Sequence, residues 1–154
     1  MTHRIDSQLS LSEVSASEED VAVLYDLLGK RHAHQNISHA ELPSRDAHRT
    51  FVGNHPYRHW FLVLLEDAAI GTVYLTNDNV LGIFIEDDHL AYLGPVIRYV
   101  ATRFDPLPPI PSQRNGAFTI NLAPENARYA SVVEAIGGVL IQQTYRLPGT
   151  TETT

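Results

Sequence analysis

Three apolar runs of strand length, separated by short polar turns, occupy the middle of the chain and constrain its fold most strongly. The runs cover residues 60–65, 69–76 and 80–85. Only Glu66-Asp67-Ala68 and Asn77-Asp78-Asn79 separate them, and such short connections join antiparallel neighbours. The runs are rich in β-branched and aromatic residues, which favour strands. The pattern predicts an antiparallel meander.

The residues before the meander predict one strand and two helices. Crude alternation over residues 9–14 fits a short strand. Ser17 precedes three acidic residues and an apolar series at helical spacing, so we expect it to cap a helix that ends near Gly29. Ser44 is predicted to cap a second helix, which ends at Asn54-His55-Pro56.

The residues after the meander predict alternating helix and strand. Apolar spacing predicts a helix up to Arg103, which Pro95 restricts to starting near Gly94. The prolines of residues 104–116 exclude regular structure there. The remaining predictions are a buried strand over 117–122, a helix over 125–136 and a final strand over 139–145.

The composition favours a single domain over residues 1–154, with a frayed tail over 148–154. A formal charge of −7 opposes binding to nucleic acid, whose affinity for proteins rests largely on Lys and Arg. No apolar run approaches the roughly 18 residues of a membrane span. Cysteine is absent, as is the apolar stretch of a secretory signal, so we expect a cytoplasmic protein.

The eight histidines raise the question of a metal site. His55 and His59 have the spacing of a helical zinc pair, but Pro56 between them opposes a helix. We therefore expect no metal.

Several segments resemble, in order and spacing, one bacterial subgroup of the GNAT N-acyltransferases. They are Asn36-Ile37-Ser38-His39, His55-Pro56-Tyr57-Arg58 and residues 71–76, 82–85, 121–126 and 141–147. The resemblance spans nearly the whole chain. It implies an α/β (α+β) fold, with a mostly antiparallel mixed sheet, a splay between the fourth and fifth strands, and about four flanking helices. It also allows a homodimer through the terminal strands.

The resemblance implies an acyl-CoA, such as acetyl-CoA, as the cofactor. Its pantetheine arm would enter the splay and bind the backbone of Ile83, Phe84 and Ile85. Its pyrophosphate would lie near Gly94, where a helix start offers N–H groups to an anion. Asn126 would lie near the thioester, although helix capping explains an Asn there equally well.

The phosphate-binding turn departs from the family pattern. GNAT proteins build it as Gln/Arg-x-x-Gly-x-Gly/Ala, because small residues let the backbone approach phosphate. Leu90, Leu93 and Pro95 stand at those positions here. Val133 likewise stands where many members have a tyrosine that acts as general acid. The first departure puts acyl-CoA binding in question, and the second leaves the reaction without this proton donor.

The implied reaction moves an acyl group to the amine of a small molecule, such as an amino sugar or an amino acid derivative. The catalytic candidates are His39 and Glu86 as bases, and Asn121 as a donor to a ligand carbonyl. Each has a simpler explanation: a surface histidine, a solvated carboxylate and a side chain that satisfies splayed backbone. The alternative function is a GNAT fold that lost acetyl-CoA and performs other chemistry or only binds.

The candidates for binding the acceptor lie in two segments and one strand. They are Asn36, Ser38, Tyr57, Arg58 and Tyr74. Arg58 suits an anionic acceptor, because a guanidinium binds carboxylate or phosphate with two hydrogen bonds. A surface ion pair for Arg58 and a core position for Tyr74 are the competing interpretations.

Overall fold

The structure, a computed structural model, describes residues 2–31 and 42–149. It contains one six-stranded sheet whose strand order follows the chain order. The strands are β1 (Thr2–Arg4), β2 (Leu9–Glu13), β3 (His59–Leu65), β4 (Ala68–Leu75), β5 (Val80–Ile85) and β6 (Thr119–Ile120). Neighbouring strands are antiparallel except β5 and β6, which are parallel. The predicted meander is confirmed as β3–β4–β5.

Four α-helices flank the sheet in the described part of the chain. They are α1 (Glu18–Gly29), α2 (Arg45–Gly53), α3 (Leu93–Arg103) and α4 (Ala127–Ala135), and a short 3-10 segment, Asp87–Tyr92, leads into α3. The predicted caps are confirmed. The hydroxyls of Ser17 and Ser44 accept hydrogen bonds from the amides three residues further along, which satisfies helix donors that otherwise lack partners.

Each face of the sheet carries its own hydrophobic core. One core packs α3 and Tyr129 of α4 against alternate residues of the strands, and the other packs α1 and α2 on the opposite face. This division follows from the alternation of side chains along a strand. On β5, for example, Ile83 and Ile85 face α3 whereas Phe84 faces α1 and α2.

Two glycines allow close approaches within the meander. A Cβ on Gly71 would lie 2.1 Å from the carbonyl oxygen of Phe84, so β4 and β5 could not keep their spacing. A Cβ on Gly82 would lie 2.1 Å from Cζ of Tyr74. The Tyr74 ring therefore lies across β5 at the position that Gly82 leaves open.

The proline-rich loop after α3 is held by one buried side chain. Asn79, which is 0% exposed, donates to the carbonyl oxygens of Leu107 (2.8 Å) and Asn115 (2.7 Å) and accepts from the Leu107 amide (2.8 Å). Its φ of 65° lies in the left-handed region, which asparagine tolerates better than most residues. Arg114 adds a hydrogen bond to the Pro108 carbonyl at 2.8 Å.

The structure differs from the sequence prediction at both ends of the sheet. The pattern missed β1, which is short and polar. The strand predicted over 117–122 is reduced to Thr119–Ile120, and the helix predicted from residue 125 begins at Ala127. The final strand predicted over 139–145 is wrong, because these residues pair with no strand among those that the structure describes.

The residues predicted as the final strand lie instead in an exposed segment. Its large apolar side chains are 67–80% exposed and belong to Val139, Leu140, Ile141, Tyr145 and Leu147. A strand pattern alone cannot form a strand, because the backbone hydrogen bonds require a partner. Within the described ranges, no helix is both long enough and apolar enough to span a membrane.

Candidate functional site

An opening separates β5 from β6. The two strands pair only where Val80 meets Thr119 and Leu81 meets Ile120, whereas β5 continues to Ile85 along β4. The splay predicted between these strands is therefore present. Beyond Leu81, the side of β5 that faces away from β4 has no neighbouring strand in the described part of the chain.

The backbone of β5 directs alternate peptide groups into this opening. In an antiparallel pair, each residue points its N–H and C=O to one side, and successive residues alternate. Gly71 lies against the Phe84 carbonyl, and the Glu86 amide donates to the Ile70 carbonyl, so the even-numbered residues of β5 point their peptide groups toward β4. The peptide N–H and C=O groups of Ile83 and Ile85 consequently point into the opening. Of the three residues predicted to bind pantetheine, Phe84 has its backbone groups committed to β4.

Tyr129 of α4 fills the opening opposite Ile85. The Ile85 amide donates to the Tyr129 hydroxyl at 2.8 Å, and the hydroxyl donates to the Ile85 carbonyl at 3.0 Å. The side chain is 1% exposed, and this burial raises the pKa of its hydroxyl, which stays protonated. The Tyr129 hydroxyl thus satisfies the Ile85 N–H and C=O, which in a continuous sheet would bond to a neighbouring strand.

Two further contacts hold α4 near the end of β5 and the start of α3. Arg128 pairs with Asp87 at 2.7 Å. A Cβ on Gly94 would lie 3.5 Å from methyl groups of Val132 and Ile136, which places α4 against the first turn of α3. The opening is therefore closed on the α4 side.

The start of α3 carries the three residues that depart from the family's phosphate-binding turn. Leu93 is buried in the core, and its amide donates to the Leu90 carbonyl within the preceding 3-10 segment. Pro95 has no N–H, and Asp87 and Asp88 add negative charge to that segment. At this helix start an incoming anion would thus meet a buried leucine and a proline without an N–H.

Aromatic side chains cover the opposite face of the sheet, at β3–β5. The rings of Tyr57 and Tyr74 stack with centroids 3.9 Å apart, and Trp60 meets Tyr57 edge-on at 5.1 Å. Burial, followed by the neighbouring Tyr74, raises the pKa of Tyr57 well above its usual value. The guanidinium of Arg31 lies 5.7 Å from the Phe84 ring centroid beside this cluster.

Glu86 lies between the two faces, directly after β5. Its Oε1 pairs with Nζ of Lys30 at 3.0 Å, and Lys30 also contacts Asp26 at 3.2 Å. The hydrogen bond with Glu86, followed by that with Asp26, raises the pKa of Lys30. Glu86 is thus a half-buried carboxylate with a fixed cationic neighbour.

The other predicted site residues lie apart from this region or serve the fold. Arg58 donates to the Asp105 carbonyl at 2.9 Å and so fastens the loop after α3. Asn121 is exposed directly after β6. The side-chain oxygen of Asn126 accepts from the Tyr129 amide at 3.4 Å and caps α4. Asn36, Ser38 and His39 lie outside the described residues.

Sequence reasoning missed Tyr129 and Arg128. The helical spacing of Tyr129 with Val132, Val133 and Ile136 was the available signal, because it places a tyrosine on a face that must be buried. A buried tyrosine hydroxyl needs a hydrogen-bond partner. Among the described residues, no group of three or more His, Asp or Glu side chains is placed to hold a metal ion.

Comparison with solved structures relates the chain to acetyltransferases. An acetyltransferase from Salmonella typhimurium that modifies the N-terminal serine of ribosomal protein L7/L12 superposes with a TM-score of 0.65 at 14% identity, over 89% of this chain and 84% of that one. The microcin C7 self-immunity acetyltransferase MccE, in complex with acetyl-CoA and AMP, gives 0.57 at 9% identity over 86% and 79%.

A third structure covers the full length of its chain. An aminoglycoside acetyltransferase from an uncultured soil metagenomic sample, in complex with trehalose, gives a TM-score of 0.57 at 10% identity over 97% of this chain and 100% of that one. No protein-family model and no curated protein sequence matches this chain. At these identities the likeness shows the fold.

Proposed function

We propose, from the premise that this chain has the fold of the GNAT acetyltransferases, that it transfers an acyl group from a CoA thioester to the amine of a small molecule. The observation that carries the proposal is the opening between β5 and β6. Ile83 directs its peptide groups into it, and these can bind an amide of a pantetheine arm; the peptide groups of Ile85 face the same way but are bound to the Tyr129 hydroxyl. MccE, with the same fold, is complexed with acetyl-CoA.

A bound thioester supplies an activated carbonyl carbon. The acceptor nitrogen would bond to that carbon, the C–S bond would break, and the thiolate would leave as CoA. The protein's contribution is to position the two reactants and to stabilise the carbonyl oxygen with N–H groups of β5. Glu86, at the end of the same strand, would accept the proton of the amine through a water molecule.

The acceptor would approach from the aromatic face of the sheet. The stacked Tyr57 and Tyr74 give this face flat apolar surfaces with hydroxyl groups at their rims, which suit a sugar ring or a small amino compound. Arg31, whose guanidinium lies 5.7 Å from the Phe84 ring centroid on this side of the sheet, could pair with an acceptor carboxylate. Amino sugars and amino acid derivatives are therefore the first acceptors to test.

Calorimetric titration with acetyl-CoA, followed by an assay of free CoA released in the presence of amines, tests the proposal. We expect binding, and release of CoA that depends on one class of amine. Protein that is folded but takes up no acetyl-CoA at millimolar concentration would contradict the proposed donor.

The start of α3 favours a second candidate, a protein of the same fold that does not use acetyl-CoA. Leu93 is buried and Pro95 lacks a donor, where a phosphate requires close backbone approach. In this case the Leu93→Gly, Pro95→Gly double variant should gain affinity for CoA that the natural chain lacks. A double variant that also fails to bind CoA would remove the support for an eroded phosphate site.

A further inference from the structure

We propose that Tyr129 is a gate for the acyl donor: its side chain closes the opening between β5 and β6 and must leave Ile85 before a thioester can bind. The inference rests on the proposed function, since it concerns the place where the donor would lie. Binding of the donor would then include one additional step, the displacement of the Tyr129 side chain from Ile85.

The first argument is that Tyr129 and a donor compete for the same backbone groups. The hydroxyl engages both the N–H and the C=O of Ile85, at 2.8 and 3.0 Å. A ligand amide that bound at Ile85 would use the same two groups: its carbonyl would accept from the Ile85 N–H, and its own N–H would donate to the Ile85 carbonyl. Leaving either group unpaired in a buried place costs more than an ordinary hydrogen bond contributes, so the exchange must be complete.

The second argument is that the ring itself occupies the opening. Tyr129 is 1% exposed and belongs to the core that α3 and the sheet share. A chain as thick as pantetheine cannot pass beside it, because protein interiors leave few voids larger than a water molecule. Removing the hydroxyl alone should therefore help less than removing the ring.

The third argument is that the surface contacts near Tyr129 add little resistance to opening. Arg128 and Asp87, which form an ion pair at the start of α4, are 46% and 40% exposed, and exposed pairs contribute little to stability. In the described chain, β6 pairs with β5 through two residues before the connection to α4, Thr119 and Ile120. Displacing Tyr129 therefore costs mainly its buried ring and its two hydrogen bonds with Ile85.

Acetyl-CoA titrations of a graded series test the gate. The natural protein is compared with Tyr129→Phe, which keeps the ring, and with Tyr129→Ser, which removes it. Tyr99→Ser is the matched control, because Tyr99 lies on α3 and packs against the same core. We expect affinity to rise in Tyr129→Ser by about tenfold or more, less in Tyr129→Phe, and not in the control.

The outcomes separate the gate from the proposed function. Equal affinity of the natural protein and Tyr129→Ser would overturn the gate and leave the donor site in place. Binding to none of the folded proteins would overturn both. If Tyr129→Ser fails to fold, NMR of the natural protein decides: acetyl-CoA must shift the Ile85 amide and the Tyr129 ring resonances, and a bound complex with both unchanged would overturn the gate.

Discussion

His48 is a buried histidine whose protonated form is disfavoured in the folded protein. It is 6% exposed between α1 and α2, 5.3 Å from the Tyr25 ring, and its Nε2 has no hydrogen-bond partner among the described residues. Burial lowers its pKa below the usual 6.5, against a smaller opposing effect of a hydrogen bond with the Val21 backbone, and Arg45 adds a further small lowering of the pKa. The folded protein therefore holds His48 neutral at pH values where the unfolded chain already binds a proton.

This difference predicts a loss of stability in acid. Since the unfolded state binds more protons below about pH 6.5, the free energy of unfolding falls as the pH falls through that value. His55 and His59, whose pKa values are also lowered chiefly by burial, act in the same direction. We expect His48→Phe to raise the urea midpoint relative to the natural protein more at pH 5.5 than at pH 8.

The matched control is Val52→Ala, at a buried residue of the same helix that has no titratable group. It should shift the midpoint by about the same amount at both pH values. If His48→Phe also shifts it equally at pH 5.5 and pH 8, the burial of a neutral His48 does not contribute to acid sensitivity.

Single residues also show where sequence reasoning ends. Ser17 and Ser44 were predictable as caps, because a cap depends on residues within one turn. The hydrogen-bond partner of Tyr129 was not predictable, because Ile85 lies 44 positions away. The contact also requires that β6 diverge from β5 before it reaches Ile85. The role of a site residue in this fold depends on such distant backbone.

At the scale of elements, the loop after α3 depends on Asn79. A glycine in the Asn79→Gly variant can still adopt the left-handed backbone conformation of this position. The substitution removes all three side-chain hydrogen bonds to Leu107 and Asn115. Each bond contributes about 1 kcal/mol, so we expect a loss of about 2–3 kcal/mol in urea unfolding. Trypsin should also cleave faster at Arg114.

Asn77→Gly serves as the control, because Asn77 is exposed and, in the described chain, its side chain makes one long contact, 3.4 Å to the Pro56 carbonyl. Its backbone carbonyl, which accepts from Arg114 at 3.0 Å, remains in the variant. Its unfolding and proteolysis should match those of the natural protein. Equal loss in both variants would mean that turn flexibility, and not the buried amide of Asn79, holds the loop.

The elements that local pattern predicts well are those that local contacts build. The meander and the caps of α1 and α2 fall in this class, and all are confirmed. The strand predicted over 139–145 is not, since its hydrogen bonds would have to come from a distant part of the sheet or from another molecule.

At the scale of the whole molecule, two features favour pairing between copies: the exposed residues 139–145 and the outer side of β6. Residues 139–145 include strand-forming apolar residues that join no strand of the described sheet, and β6 pairs only with β5 in the described chain. An open strand edge and an exposed strand-like segment can pair between copies. We expect a homodimer in which the segment of each copy covers β6 of the other.

Analytical ultracentrifugation tests this expectation. Leu140→Asp with Ile141→Asp should convert the dimer to monomers, whereas Thr144→Asp, which adds charge at a polar position of the same segment, should change the association less. A natural protein that remains monomeric at the highest accessible concentration would contradict the pairing between copies.

The order of the strands in the sheet has a consequence for how the chain folds. Because every strand lies beside its neighbour in sequence, the hairpins β1–β2, β3–β4 and β4–β5 each close a short loop. Short loops cost little entropy to close, and folds built on such contacts form quickly. Within this sheet, only the pairing of β2 with β3 and of β5 with β6 must close a long loop. We therefore expect these two pairs to form last, and the opening that Tyr129 fills lies between the strands of one of them.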